Sequence, residues 1–216
     1  MNSQARIHGI RAVKKVSLVA LTSLVLAGCS VIGQSEPTRF YTLTQALSPA
    51  EGTERYDIPA PVYVGIGPVE IPGYADRPQI VTEGEAAVLK VADFHHWAEP
   101  VAENIERLLV ANIAALTRSR QVFPYPARFN PDSKSLQASV EITEMTQQAN
   151  GAVILTASWN VKRTLSNTLL VRESGAYQGT APAGDYAAYA QTLGTLIGSL
   201  SRDMARSIAS AAEMGT

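Results

Sequence analysis

From Leu136 to Thr143 apolar and polar residues take turns: Leu136, Ala138, Val140 and Ile142 against Gln137, Ser139, Glu141 and Thr143. Successive side chains of a strand point to opposite faces, so this period of two predicts a half-buried strand over "SLQASVEITEM". Asn150-Gly151 follows, a dipeptide favoured in tight hairpin turns, and "GAVILTASWNVKR" reads as the returning strand. "NTLLVRESGAYQG" supplies a further strand. Upstream, "PVYVGIGPVEI" sets Val62, Val64 and Ile66 against Tyr63, Gly65 and Gly67, a strand with a clear apolar face. "RFYTL" after Pro37 reads as the first strand, and "QVFPY" as a short one. The three prolines between Ser48 and Pro61 mark a loop, "IPGYADRP" a turn, and "QIVT" and "AAVLKV" two short strands around Glu83-Gly84-Glu85.

The period lengthens in two places. Val101, Ile105, Leu108, Leu109, Ile113 and Leu116 form one helical stripe, with Pro100 suited to the first turn, so a helix is expected over 100–118. Leu193, Leu196, Ile197, Leu200, Met204 and Ile208 form a second stripe, on a helix expected to begin at an Asp185 N-cap and to end near Glu213. Gly194 and Gly198 share a face of that helix. They suit a close seat on the sheet, or failing that a contact between copies of the chain; Arg202, Asp203 and Arg206 exclude a membrane span. Runs of strands with one central and one terminal helix predict an α+β fold: a single domain, with a mixed/antiparallel β-sheet covered by two long helices.

Residues 1–28 follow a different plan. Arg6, Arg11, Lys14 and Lys15 stand there without any acidic side chain, followed by the apolar run Val16 to Ala27 and small residues. These are the parts of a secretory signal peptide, and a run of 12 is short of the roughly 20 residues that cross a bilayer. Leu26-Ala27-Gly28-Cys29 resembles the bacterial lipobox. The resemblance implies cleavage after Gly28, a diacylglyceryl group on the sulfur of Cys29 and an acyl group on the new amino terminus. A cysteine suits that role because its thiolate is strongly nucleophilic, and several acyl chains hold where one is marginal. Three regions are therefore expected: a cleaved signal peptide over 1–28, a lipidated tether over 29–38 and a folded domain over 39–216. Ser30, in place of an Asp, suggests sorting to the outer membrane by the rule known for lipoproteins. Nine tether residues, at most ~3.5 Å each, keep the domain within about 30 Å of its membrane.

Cleavage leaves 14 basic and 19 acidic residues, a formal charge of −5, which argues against nucleic acid as a partner. Cys29 is the only cysteine, so no intrachain disulfide forms. The most tempting chemistry is "DFHHWAE", where Asp93, His95, His96 and Glu99 could ligate a metal or act as acid and base. Yet these are the only histidines after residue 28, and neighbours in a strand point apart; polarity of a loop is the simpler account. Glu99, Glu103 and Glu106 suit the positive end of a helix dipole. Gly65-x-Gly67 runs into Pro68 and continues no phosphate loop, and no Gly-x-Ser-x-Gly elbow exists. No enzyme, no cofactor and no metal is expected.

Several stretches together resemble the auxiliary lipoproteins of ABC-type transport systems, the PqiC (YmbA) family: the lipobox cysteine, "RFYTL" shortly after it, "VGIGPVEIPGYADRPQIV" at Val64 to Val81, and "HWAEP" just before the first helix. The resemblance implies a periplasm-facing, lipid-anchored protein of the outer membrane that docks an MCE-domain protein of the inner membrane, supporting lipid movement and envelope integrity. It supplies no catalytic residue. Within its motifs Tyr74, Arg77, Pro78, Trp97, Glu99 and Pro100 are candidate partner contacts, since Trp and Arg are enriched at binding hot spots. Burial of Trp97 beside the helix and pairing of Arg77 with a carboxylate are the structural alternatives. A homo-oligomer is a further expectation. A lipid or small-molecule carrier, which would need an apolar cavity, and another kind of envelope assembly factor are the competing functions.

Overall fold

The alternating segments form strands, and they fall into two sheets rather than the one expected. The computed structural model describes residues 36–44, 47, 55–59, 61–126 and 131–214. The signal segment, Cys29 and the tether as far as residue 35 lie outside the described residues, as does most of the loop between Ser48 and Pro61. In chain order the elements are β1 (Arg39–Tyr41), β2 (Val64–Glu70), β3 (Gln79–Glu83), β4 (Leu89–Trp97), α1 (Val101–Thr117), β5 (Val122–Pro124), β6 (Leu136–Gln147), β7 (Ala152–Arg163), β8 (Leu169–Thr180) and α2 (Tyr186–Glu213). The large sheet has the order β5-β2-β6-β7-β8 and the small one β1-β4-β3. β2 runs parallel to both β5 and β6, while β6, β7 and β8 form an antiparallel meander. This is the mixed α+β architecture that the sequence predicts.

The meander begins at the expected turn. Gly151 has φ +87°, which glycine adopts without steric cost, and its N–H donates to the Gln148 carbonyl at 2.9 Å. Registers Ala138↔Val161, Val140↔Trp159 and Ile142↔Ala157 put six buried side chains on one face. Both helical stripes cover that face. Every stripe residue read from the sequence is at most 6 % exposed, and burying each such aliphatic side chain contributes about 1.5–3 kcal/mol. Several polar groups that enter this core pair with one another, although Asn112 Oδ1 and Thr146 Oγ1 are buried without a hydrogen-bond partner. The Trp159 indole N–H donates to Ser207 Oγ at 3.0 Å, and that hydroxyl lies 2.7 Å from Glu173 Oε2. Asn112 Nδ2 on α1 donates to Ser201 Oγ on α2 at 3.1 Å.

α2 starts as expected: Asp185 Oδ1 accepts from the Ala188 N–H at 3.0 Å. Pro100 is the residue before α1 rather than its first turn, and its carbonyl accepts from the Asn104 N–H at 3.1 Å. Gly194 does permit a close approach, but to another neighbour than the sheet. A Cβ there would stand 3.0 Å from the Thr44 carbonyl, so the glycine admits the segment leaving β1. The glycines of β2 also find their use: a Cβ on Gly65 would meet the Tyr125 ring at 3.0 Å, and Gly67 (φ +123°) sits where the β2–β6 register shifts.

The small sheet corrects the reading of two stretches. Glu85–Ala87 is a short 3-10 turn with Ala86 and Ala87 left-handed, so no strand starts there. β4 instead runs from Leu89 through Trp97, and "DFHHW" is strand, not loop. Its alternation is hidden by a bulge, because the step from Gln79 to Val81 on β3 matches the step from Val91 to His96 on β4. Registers Phe40↔His96↔Gln79, Val81↔Val91 and Glu83↔Leu89 define one face of this sheet. Ile80 and Trp97, both buried in the core, belong to the other.

Candidate functional site

Where β3 begins, β4 ends and α1 starts, three short segments enclose a cleft of about 350 Å³. Its lining is Asp76, Arg77, Pro78, Trp97, Ala98, Glu99, Pro100 and Val101. The turn after β2 delivers the first three: the Ala75 N–H donates to the Pro72 carbonyl at 2.8 Å, and the Arg77 N–H to the Ala75 carbonyl at 2.9 Å. The segment then joins β4 through the Trp97 N–H, which donates to the Pro78 carbonyl at 2.7 Å. On the other side the Ala98 N–H donates to the Tyr41 carbonyl at 2.8 Å, tying the cleft to β1.

Five of the six candidate contacts read from the sequence, Arg77, Pro78, Trp97, Glu99 and Pro100, thus meet around one cleft. Their chemistry is divided. Trp97 is only 6 % exposed and gives a floor whose ring faces Tyr189 at 6.2 Å between centroids. Pro78, Pro100 and Val101 extend the apolar surface. Arg77 stands at the rim with its Nε–H donating to Gln79 Oε1 at 3.2 Å, rather than to a carboxylate. Glu99 is paired with Arg107 across the first turns of α1 and accepts from Thr42 Oγ1 at 3.4 Å. Tyr74 does not join them. Its hydroxyl oxygen accepts from the Met145 N–H at 3.0 Å, and partial burial raises its pKa above the usual phenol value.

Asn104 escaped the sequence reading although it holds the cleft's neighbour in place. It is 1 % exposed, and its Oδ1 accepts from the Leu43 N–H at 2.7 Å and from Thr42 Oγ1 at 3.4 Å. The signal was present: position 104 falls on the apolar stripe of α1 between Val101 and Leu108, and a polar residue there needs a buried partner.

The two histidines point apart. His95 Nδ1 lies 2.7 Å from the Tyr41 hydroxyl, and its ring sits 4.2 Å from that of Tyr186. His96 turns to the opposite face, edge-on to Phe40 at 5.9 Å, with Nε2 at 3.0 Å from the Asp93 carbonyl. Among the described residues no three His, Cys, Asp or Glu side chains gather as a metal site. Glu106 on α1 has its carboxyl pKa raised, first by burial and then by repulsion from Glu103. A second cleft of about 640 Å³ lies beside β3 and β4, edged by Glu83, Glu85, Lys90, Gln147 and Gln148.

Comparison with known proteins gives a consistent result. A family model described as the ABC-type transport auxiliary lipoprotein component matches residues 41–205. Comparison with curated proteins finds no match. Among solved structures, one of an uncharacterized protein superposes with a TM-score of 0.63 at 18 % identity, covering 80 % of this chain and 99 % of its own. A protein from Xanthomonas campestris superposes with a TM-score of 0.65 at 12 % identity, over 82 % of this chain and 98 % of its own. At these identities the two structures establish a shared fold.

Proposed function

The chain belongs to the family of ABC-type transport auxiliary lipoprotein components, and from that premise we propose that it docks an MCE-domain protein of the inner membrane while anchored to the outer membrane through Cys29. Family membership makes it an auxiliary, non-catalytic component of a transport system. The docking site is the cleft at the start of α1. The observation that supports this is the convergence of Arg77 and Pro78 with Trp97, Glu99 and Pro100, from two separate sequence motifs, on one concave surface.

The cleft has the build of a binding hot spot: an aromatic and proline floor, with a cation and two carboxylates around it. An apolar side chain of the partner fits the floor, and a carboxylate beside it reaches Arg77. The floor is rigid because Trp97 is held in the core, so binding orders little more than the Arg77 side chain. The carrier reading finds less support. The second cleft mixes Val88 and Tyr186 with Glu83, Glu85, Lys90 and two glutamines, a lining too polar to favour an acyl chain.

Crosslinking in cells against an MCE-domain protein of the same organism tests the proposal. Arg77→Ala should lower capture roughly thirtyfold, the cost of truncating a hot-spot residue at about 2 kcal/mol, while leaving thermal unfolding nearly unchanged because the exposed Arg77 side chain bonds Gln79 at the rim. Capture at the wild-type level by this variant would sink the cleft as the docking site.

A further inference from the structure

Large exposed hydrophobic side chains are not scattered evenly over this protein. Among the described residues five of the eight, Phe40 (66 %), Val88 (58 %), Leu89 (47 %), Val91 (41 %) and Phe94 (38 %), belong to the small sheet and the turn that feeds it. Register puts Phe40, Val91 and Leu89 on the face opposite the core, and Phe94 stands on the bulge between them. Val81 shares that face, 6 % exposed and outside the main core cluster. Among the described residues this face carries the exposed apolar side chains, whereas the inward face of the same sheet is closed by the core.

We propose that this outward face of the β1-β4-β3 sheet lies against the lipid surface to which the chain is tethered, with Phe40 and Phe94 entering the headgroup–acyl boundary. The inference rests on acylation of Cys29, the anchor in the reading above. Phe40 is the second residue of β1, so the chain leaves the fold at the apolar face itself. Nine residues separate Cys29 from Arg39, ten Cα steps with a reach of at most ~35 Å. A tether of that length holds the leaflet at high effective concentration before the domain, so an apolar contact too weak to recruit a free protein is populated by an anchored one. The size of the patch favours this occupant over a second copy. Its five side chains expose on the order of 400 Å², about half of what each partner contributes to a stable protein interface.

The processed, acylated chain is purified and reconstituted into phosphatidylethanolamine–phosphatidylglycerol vesicles whose acyl chains carry bromine, a contact quencher of indole fluorescence. Three variants are compared: Phe40→Trp, Phe94→Trp and, as the control, Leu169→Trp at an exposed position on the other sheet. Trp97 and Trp159 are buried and give a constant background. Emission from positions 40 and 94 is expected to shift to the blue on vesicles and to be quenched roughly twofold more than that from position 169, as for a side chain at the headgroup boundary. Vesicles that carry the protein on flotation but quench all three positions alike overturn the proposal and leave the anchor standing. Protein that fails to float overturns the anchor and this inference together. A blue shift at position 40 without vesicles, accompanied by a doubled mass in solution, assigns the face to a second copy and equally overturns it.

Discussion

Replacing Asn104 by alanine tests the account of how β1 is fixed to the rest of the molecule. The side chain is buried on α1, and its Oδ1 accepts the Leu43 N–H at 2.7 Å, with Leu43 itself only 1 % exposed. In the variant that N–H stays buried and loses its acceptor, because no water-filled route replaces a side chain enclosed to this degree. A stranded buried donor costs about 1–3 kcal/mol, and losing the packing of the amide adds to this, so destabilisation of about 2–3 kcal/mol is expected. For a folded unit of this size that lowers Tm by roughly 5–10 °C. Urea unfolding measures the free energy directly, and the slope should be unchanged because the same surface is exposed in both proteins. Amide exchange adds the local readout: the Leu43 N–H should lose protection more than the amides of β6 and β7. A loss below about 0.5 kcal/mol with Leu43 still protected would refute the reasoning, since surface substitutions do no more than that.

Two further outcomes follow from the core and from α1. Ser207→Ala removes the acceptor of the buried Trp159 indole N–H and should cost about 1–3 kcal/mol in urea unfolding, with a change in tryptophan emission; an unaltered midpoint would mean that the bond contributes nothing. Glu106 has a folded-state pKa raised by burial and by Glu103, so its ionised form opposes folding at pH values above that raised pKa. Glu106→Gln should therefore stabilise the protein at neutral pH, and the gain should fade as pH falls through the folded pKa and vanish below the ordinary glutamate value. A gain that persists or grows in acid would contradict this sign.

Periodicity disclosed the elements whose burial is decided locally. The stripes from Val101 to Leu116 and from Leu193 to Ile208 are buried throughout, and the turn at Asn150-Gly151 joins β6 to β7 where expected. Division into two sheets was not legible, because nothing in "RFYTL" announces that β1 pairs with β4 instead of β2. "DFHHW" was misread for a different reason: a bulge breaks the period of two, so polar residues appear out of phase with the buried Ala92 and Trp97. The cleft's lining coincides with motifs read in the sequence. Arg77-Pro78 and Trp97 to Pro100 share the cleft, held together by the Trp97 N–H and the Pro78 carbonyl. Tyr74 belongs to the same motif, but its hydroxyl is engaged by the β6 backbone at Met145. Asn104 was overlooked because it interrupts a stripe otherwise read only for its apolar members.

The way β1 is attached also decides how the protein bears mechanical load. A pull on the chain ahead of Thr38 enters at β1, which is held by three residue pairs only, Arg39↔His95, Phe40↔His96 and Tyr41↔Trp97. Immediately behind them the chain is clamped twice, by Asn104 of α1 gripping Leu43 and by the carbonyl of Thr44 set against Gly194 of α2. Tension can therefore strip a three-residue strand before it meets the two long helices, which share the load with the whole core. Such tension would be absorbed in that short strand, like slack let out against a cleat, while the meander and its helices keep their shape.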